Sequence, residues 1–245
     1  MERMTSPEIA EAIAGGYTTV VVATGAVEQH GAHLPLFMDA EHGDRLALEV
    51  AERIGGALVG PTIRVGCSQH HMSFAGTVSL ERETFHRVCT DYCVSLAAHG
   101  FRRICYIPTH GGNFDPLREG LAALNEAAGA ECSVEAYTNL MEVIDVWRDI
   151  AQREAGLGER VGGHADIAET SIMMALHRDL VRTELAEAGF SAKPEERAEL
   201  VDRMIREGFA AVTPNGILGD ARGATPELGE RMIDGLADAM AATFR

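Results

Sequence analysis

Along the first half of the chain, short β-branched apolar runs alternate with longer stretches whose apolar residues recur at helical spacing. Ser6-Pro7-Glu8 predicts a helix start, with a capping hydroxyl, a proline in the first turn and an acid behind it, and Gly15-Gly16 closes that helix. Residues 18–23 (Thr-Thr-Val-Val-Val-Ala) read as a buried strand. A helix is expected from Asp39 to about Ile54, then a strand over 57–65 broken by Pro61, a histidine-bearing loop over 66–78 and a helix over 81–98. Strands over 103–108 and 131–137 flank a helix over 115–128, and further helical segments fall near 140–154, 165–177, 194–208 and 226–243. This alternation predicts an α/β fold with a mostly parallel sheet covered on both faces. With 245 residues and no repeat or linker, one domain over 1–245 is the economical reading.

Composition narrows the function. Hydrophobic content of 46% and charged content of 24% are ordinary for a soluble globule, and no apolar run is long enough to span a bilayer. The N-terminal residues lack a basic region followed by an apolar one, so a cytoplasmic protein is the expectation. A net charge of −16 repels phosphate backbones and argues against nucleic acid as a partner. The five cysteines form no C-x-x-C pair, and Cys89 and Cys93 lie one helical turn apart in an apolar face, which predicts buried free thiols.

The chemistry concentrates in residues 25–39. Glu28, His30, His33 and Asp39 fall in one loop directly after the first strand, the end at which open α/β sheets carry their sites. Glu28 and His30, two apart, leave an extended chain on the same side. Asp39 opens a helix, where an N-cap alone would explain it, and His33 alone would pass as a core histidine. Four metal-ligating side chains in one loop favour a divalent-metal site. His110, ahead of Gly111-Gly112-Asn113, follows the third strand at the same sheet edge. His164 stands at or just before the first turn of a helix, and Glu169 one turn inside it, on a face otherwise apolar through Ile172, Met173 and Leu176. An acid there needs a salt bridge or a metal. His70-His71 are candidates for substrate contact, whereas His42, His86, His99 and His177 read as surface or packing residues. No Gly-x-Ser-x-Gly elbow, dinucleotide fingerprint or H-E-x-x-H motif occurs.

These residues resemble the signatures of the creatininase (creatinine amidohydrolase) family. Gly25-Ala26-Val27-Glu28-Gln29-His30-Gly31-Ala32-His33-Leu34-Pro35 with Asp39 matches its first block. His71-Met72-Ser73-Phe74-Ala75-Gly76-Thr77, His110-Gly111-Gly112-Asn113, His164-Ala165 with Glu169-Thr170-Ser171, and Gly219-Asp220 with Ala224-Thr225 follow in family order. The resemblance implies a three-layer α/β/α sandwich and an amidohydrolase using two divalent ions, zinc or manganese and sometimes iron. Glu28 and His110 would hold one ion and His30 the other, with Asp39 bridging. Creatininase proper has a glutamate where this chain has Gly112, and Glu169 is the natural replacement. His164 would be the acid/base group, Glu169 would share in catalysis, and His71, Asn113 and Trp147 would contact substrate. The implied substrate is a small cyclic or formyl amide, with peptide-like amides equally open, and the implied assembly a homo-oligomer, often a hexamer. Two alternatives stand beside it: a metal-dependent sugar or cyclitol isomerase or ring-opening hydrolase, and a non-catalytic metal-dependent binding protein.

Overall fold

A computed structural model describes residues 1–191, 199, 203–204 and 206–245. Four parallel strands, β1 (Thr19–Thr24), β2 (Ala57–Val59), β3 (Arg103–Pro108) and β4 (Ser133–Ala136), form one sheet in the order β2-β1-β3-β4. β1 pairs with β3 from Thr19↔Arg103 through Thr24↔Pro108, so their carboxyl ends finish level.

Period-two alternation divides the core. Val21, Ala23, Cys105 and Ile107 pack against α2 (Met38–Ile54), α5 (Leu140–Ala155), α6 (Ile167–His177) and α7 (Pro226–Thr243). Val20, Val22, Ile104 and Tyr106 face the other way, against α3 (Arg82–Ala98) and α4 (Phe114–Ala128). The result is the expected three-layer α/β/α sandwich. α2 leaves β1 on one face and α3 feeds β3 on the other, so the crevice between the ends of β1 and β3 is a topological switch point, where open α/β sheets bind ligands.

Several elements differ from the sequence expectation. The strand expected over 57–65 stops at Val59, because Gly60-Pro61 interrupts it, and Ile63 keeps only a bridge to Thr24. The first helix (α1, Ser6–Ala14) is capped by Thr5 rather than Ser6, with Thr5 N and Oγ1 both bonded to Glu8. A short antiparallel pair, β5 (Val161–His164) and β6 (Leu218–Gly219), was not anticipated; His164 ends a strand and Asp166 caps α6. Residues 194–198, 200–202 and 205 of the helix expected over 194–208 lie outside the described residues. All five cysteines are free, as expected.

Candidate metal centre

The loop after β1 turns back at once. A Cβ on Gly25 would meet the Ala40 backbone at 2.7 Å, so only glycine lets the start of α2 lie against the strand end and bring Asp39 to it. Thr109 Oγ1, just past β3, donates to the Asp39 main-chain oxygen at 2.7 Å. Glu28, Asp39, His110 and Glu169 thereby converge around a cavity of about 1100 Å³. His30, with no exposed surface, lies beneath.

The ligand atoms form three triads: Glu28, His30 and His164 make one, and the other two share Asp39. Those two are Glu28, Asp39 and His110, and His30, Asp39 and Glu169. His110 Nδ1 is 3.2 Å from Glu28 Oε1 and 3.4 Å from Asp39 Oδ2. His30 Nε2 is 3.4 Å from Asp39 Oδ1 and 3.5 Å from Glu169 Oε2. Ligands at about 2.0–2.1 Å from a tetrahedral ion stand about 3.3–3.4 Å apart, so these separations are those of ligands around a metal. Asp39 turns a different oxygen to each of its two triads, Oδ1 toward His30 and Oδ2 toward His110.

Hydrogen bonding is consistent with that reading. Both Glu28 oxygens, His30 Nε2 and Asp39 Oδ2 are buried with no hydrogen-bond partner, a costly state unless a cation engages them. Each candidate imidazole spends its other nitrogen on a main-chain carbonyl, His30 Nδ1 on Glu28 O at 3.1 Å and His110 Nε2 on Cys67 O at 3.0 Å. That fixes which nitrogen faces the cluster. Among the described residues, the ionic partners of Glu28, Asp39 and Glu169 are all histidines.

Gly112 is the site of the family's other glutamate. A Cβ there would stand 2.1 Å from Cys67 O and 2.5 Å from His110 Nε2, so this loop excludes any side chain at 112. Glu169, the expected replacement, reaches the cluster from α6, its Oε2 3.5 Å from His30 Nε2. Asp166 holds that helix start, its Oδ2 accepting from Gly162 N at 2.7 Å and Gly163 N at 2.8 Å and its Oδ1 from Ala168 N at 2.8 Å. Between them Ala165 adopts φ 51° and donates its N–H to Glu169 Oε2.

Without cations, protons take their place. Burial opposes a charge on His30, yet Asp39, Glu169 and Glu28 outweigh it and lift the imidazole to about 10. His110 is likewise raised, against its burial, by Glu28 and Asp39. Burial, with repulsion from Asp39 and Asp166, raises Glu169 to about 8 despite the pull of His30. Divalent ions must displace these protons, so uptake near neutral pH is expected to release roughly three protons per chain, from His30, His110 and Glu169, and to tighten as pH rises. Zinc titrations by calorimetry in buffers of different ionisation enthalpy measure the release; buffer-independent heats would contradict it.

His164, which is 7% exposed, lines the cavity with Nδ1 3.9 Å from Glu28 Oε1 and 4.0 Å from Glu169 Oε2. Gln29, the motif residue to which no role was attached in sequence, binds the opposite nitrogen: its carbonyl oxygen lies 3.0 Å and its amide nitrogen 2.9 Å from His164 Nε2. The same amide nitrogen lies 3.0 Å from His71 Nδ1. His71 and Trp147, expected to contact substrate, line the cavity. Asn113 does not. Its amide donates to Thr24 O and Gly25 O, and its Oδ1 accepts from Cys67 N, which corrects its expected substrate contact to a tie between loops. His42, read as a surface or packing residue, also lines the cavity.

Comparison with known proteins identifies the family. A profile of the creatinine amidohydrolase family matches residues 2–244. The chain is 33% identical over 232 residues to the mycofactocin precursor peptide peptidase of Mycolicibacterium smegmatis, covering 89% of this chain and 83% of that one. It is 31% identical over 258 residues to the creatinine amidohydrolase of Pseudomonas putida, covering 98% and 95%. A crystal structure of creatinine amidohydrolase superposes with a TM-score of 0.80 at 30% identity, covering 100% of this chain and 97% of the other. A manganese form (TM-score 0.76, 26% identity, 100% and 96% covered) and a Zn–Zn form of a variant (0.76, 28%, 100% and 97%) are also similar. The chain belongs to the creatininase family of metal-dependent hydrolases.

Proposed function

We propose that this chain hydrolyses a C–N bond of an amide, with Glu28, Asp39 and His110 holding one divalent ion and His30, Asp39 and Glu169 a second. The pair of triads sharing Asp39, with neighbouring ligand atoms 3.2–3.5 Å apart, is the observation that carries the reading. Zinc or manganese held there would serve to acidify water and polarise an amide carbonyl. The remaining work falls to protein side chains. Burial holds the His164 imidazole well below its ordinary range, and a divalent ion in place of the proton on His30 would oppose its protonation in the same direction, so it is neutral near pH 7. Its Nδ1 faces the cluster, the position from which a proton taken from water reaches the departing nitrogen. Gln29 offers both an acceptor and a donor to His164 Nε2, so either tautomer finds a partner and Nδ1 can take or give a proton without orphaning a buried nitrogen.

The substrate class is a small cyclic or formyl amide, as for the creatinine amidohydrolase relative, or a peptide-like amide, as for the precursor peptide peptidase. A cavity of about 1100 Å³ accommodates either. Metal-loaded protein screened against lactams, hydantoins, formamides and short peptides tests this, with products weighed by mass spectrometry. Addition of one water to a substrate, with two ions per chain, is expected. Turnover without gain of water would favour an isomerase on the same residues, and stoichiometric metal without turnover a binding protein.

A further inference from the structure

Gln29 is buried between two imidazoles, and its hydrogen bonds decide where each of them carries its proton. Its Oε1 accepts from Gly31 N at 3.0 Å, which fixes the orientation of the amide. Turned over, its NH₂ would face that N–H and its oxygen the Gly216 carbonyl. The amide nitrogen therefore brings two hydrogens to three possible acceptors: Gly216 O at 3.2 Å, His71 Nδ1 at 3.0 Å and His164 Nε2 at 2.9 Å. Only two of them can be served.

Gly216 is buried, and among the described residues the Gln29 amide is the one donor to its carbonyl, so one hydrogen goes there. Among the same residues His71 Nδ1 has the amide nitrogen as its one hydrogen-bond partner, so it must accept, since a proton on it would face another donor. His164 Nε2 has an alternative. The Gln29 main-chain oxygen lies 3.0 Å away, and a proton on Nε2 donates to it. Both rings are buried, which favours the neutral form, with one proton each. The arrangement that leaves none of these groups unpaired puts that proton on Nε2 in both histidines. The rings, 4.7 Å apart, then present opposite characters to one carboxylate oxygen, Glu28 Oε1: an N–H from His71 at 3.4 Å and a lone pair from His164 Nδ1 at 3.9 Å. We propose that Gln29 is a positioning residue that sets His164 Nδ1 as a proton acceptor and His71 Nε2 as a hydrogen-bond donor toward the cluster. This rests on reading His164 as the proton carrier of an amidohydrolase, and it makes His164 a base at the start of each cycle. It also aims His71 at Glu28, in the manner of the outer partners that orient metal-ligating carboxylates.

Magic-angle-spinning NMR of zinc-loaded protein carrying isotope-labelled histidine tests this, because protonated and bare ring nitrogens resonate in separate ranges and their ring-carbon neighbours tell Nδ1 from Nε2. His164→Ala and His71→Ala identify the two sets of signals by their loss. Both rings are expected to show a protonated Nε2 and an Nδ1 without a proton. Gln29→Glu puts a carboxylate where the donor to His71 stood, and is expected to move His71 Nδ1 into the protonated range while His164 Nε2 keeps its proton. A wild-type protein with the proton of either ring on Nδ1 overturns the proposal without any variant. A Gln29→Glu protein with the wild-type circular dichroism spectrum and His71 Nδ1 still bare overturns it as well. No turnover is needed for these readings. The expected pattern in protein that hydrolyses no amide would sustain the role of Gln29 and sink the amidohydrolase reading, and hydrolysis with the opposite pattern would do the reverse.

Discussion

Asp39→Asn is expected to cost the protein both ions, and kcat/KM at least about a thousandfold, the equivalent of several kcal/mol of transition-state stabilisation. The size of the effect follows from position. Asp39 gives Oδ2 to the triad containing His110 and Oδ1 to the triad containing His30, so one substitution removes an anionic ligand from each. Asparagine keeps the shape of the side chain, and the main-chain oxygen that accepts from Thr109 is untouched, so the fold should persist. Glu28→Gln is the informative contrast. Glu28 does not belong to the triad of His30, Asp39 and Glu169, and that variant should lose one ion and keep the other. Elemental analysis after dialysis gives the count. Thermal unfolding gives a second measure, because a ligand that binds only the folded state at a hundredfold over its Kd stabilises it by about 2.7 kcal/mol. Wild-type protein should show a metal-dependent rise in Tm that Asp39→Asn lacks. Two tightly held ions in Asp39→Asn would refute the bridging assignment.

The candidate ligand set was legible in sequence because its densest part is local, whereas the bridging role of Asp39 came from the family resemblance. Glu28 and His30 lie in the loop after a Val-rich strand whose burial on both faces is plain from its composition, and Asp39 in the first turn of the helix that follows. Glu169 could be singled out because a carboxylate among Ile172, Met173 and Leu176 is an anomaly that demands a partner. The sequence was silent where meaning depends on distant contacts. Gln29 acts through partners 42, 135 and 187 residues away, and no local pattern marks it out from a motif neighbour. Asp166 looks like any helix cap, yet its second oxygen collects two further N–H groups from β5. β5 itself was invisible, since Val161-Gly162-Gly163-His164 has neither alternation nor β-branched density. Asn113 misled for the opposite reason: a polar residue in a histidine–glycine loop suggests ligand contact, but the loop needed a buried amide to tie three backbone groups. His42, read as a surface or packing residue, is indeed packed on the buried side of α2, and only the coordinates show that it borders the cavity.

His164→Ala should separate chemistry from metal binding. The expected result is retention of both ions with kcat reduced by about 10²- to 10⁴-fold, the range for loss of a positioned acid/base group. The geometry makes this a sharp test, because His164 also falls within reach of a third set of ligand atoms, with Glu28 and His30. Its Nδ1 stands 3.9 Å and 4.0 Å from the nearest carboxylate oxygens, whereas His30 and His110 approach theirs to 3.2–3.5 Å. The longer separations suit a group that faces the cluster across the space a substrate would occupy. Were His164 a ligand, the alanine variant would lose metal along with activity, and the proton-transfer role would be withdrawn. A variant with full metal and wild-type turnover would dismiss both roles. Substrates with better leaving groups sharpen the decision: an activated anilide needs less help in protonating its departing nitrogen, so His164→Ala should lose less rate on it than on an alkyl amide. A ligand defect would depress both substrates alike, and that contrast identifies the proton carried by Nδ1 as the missing contribution.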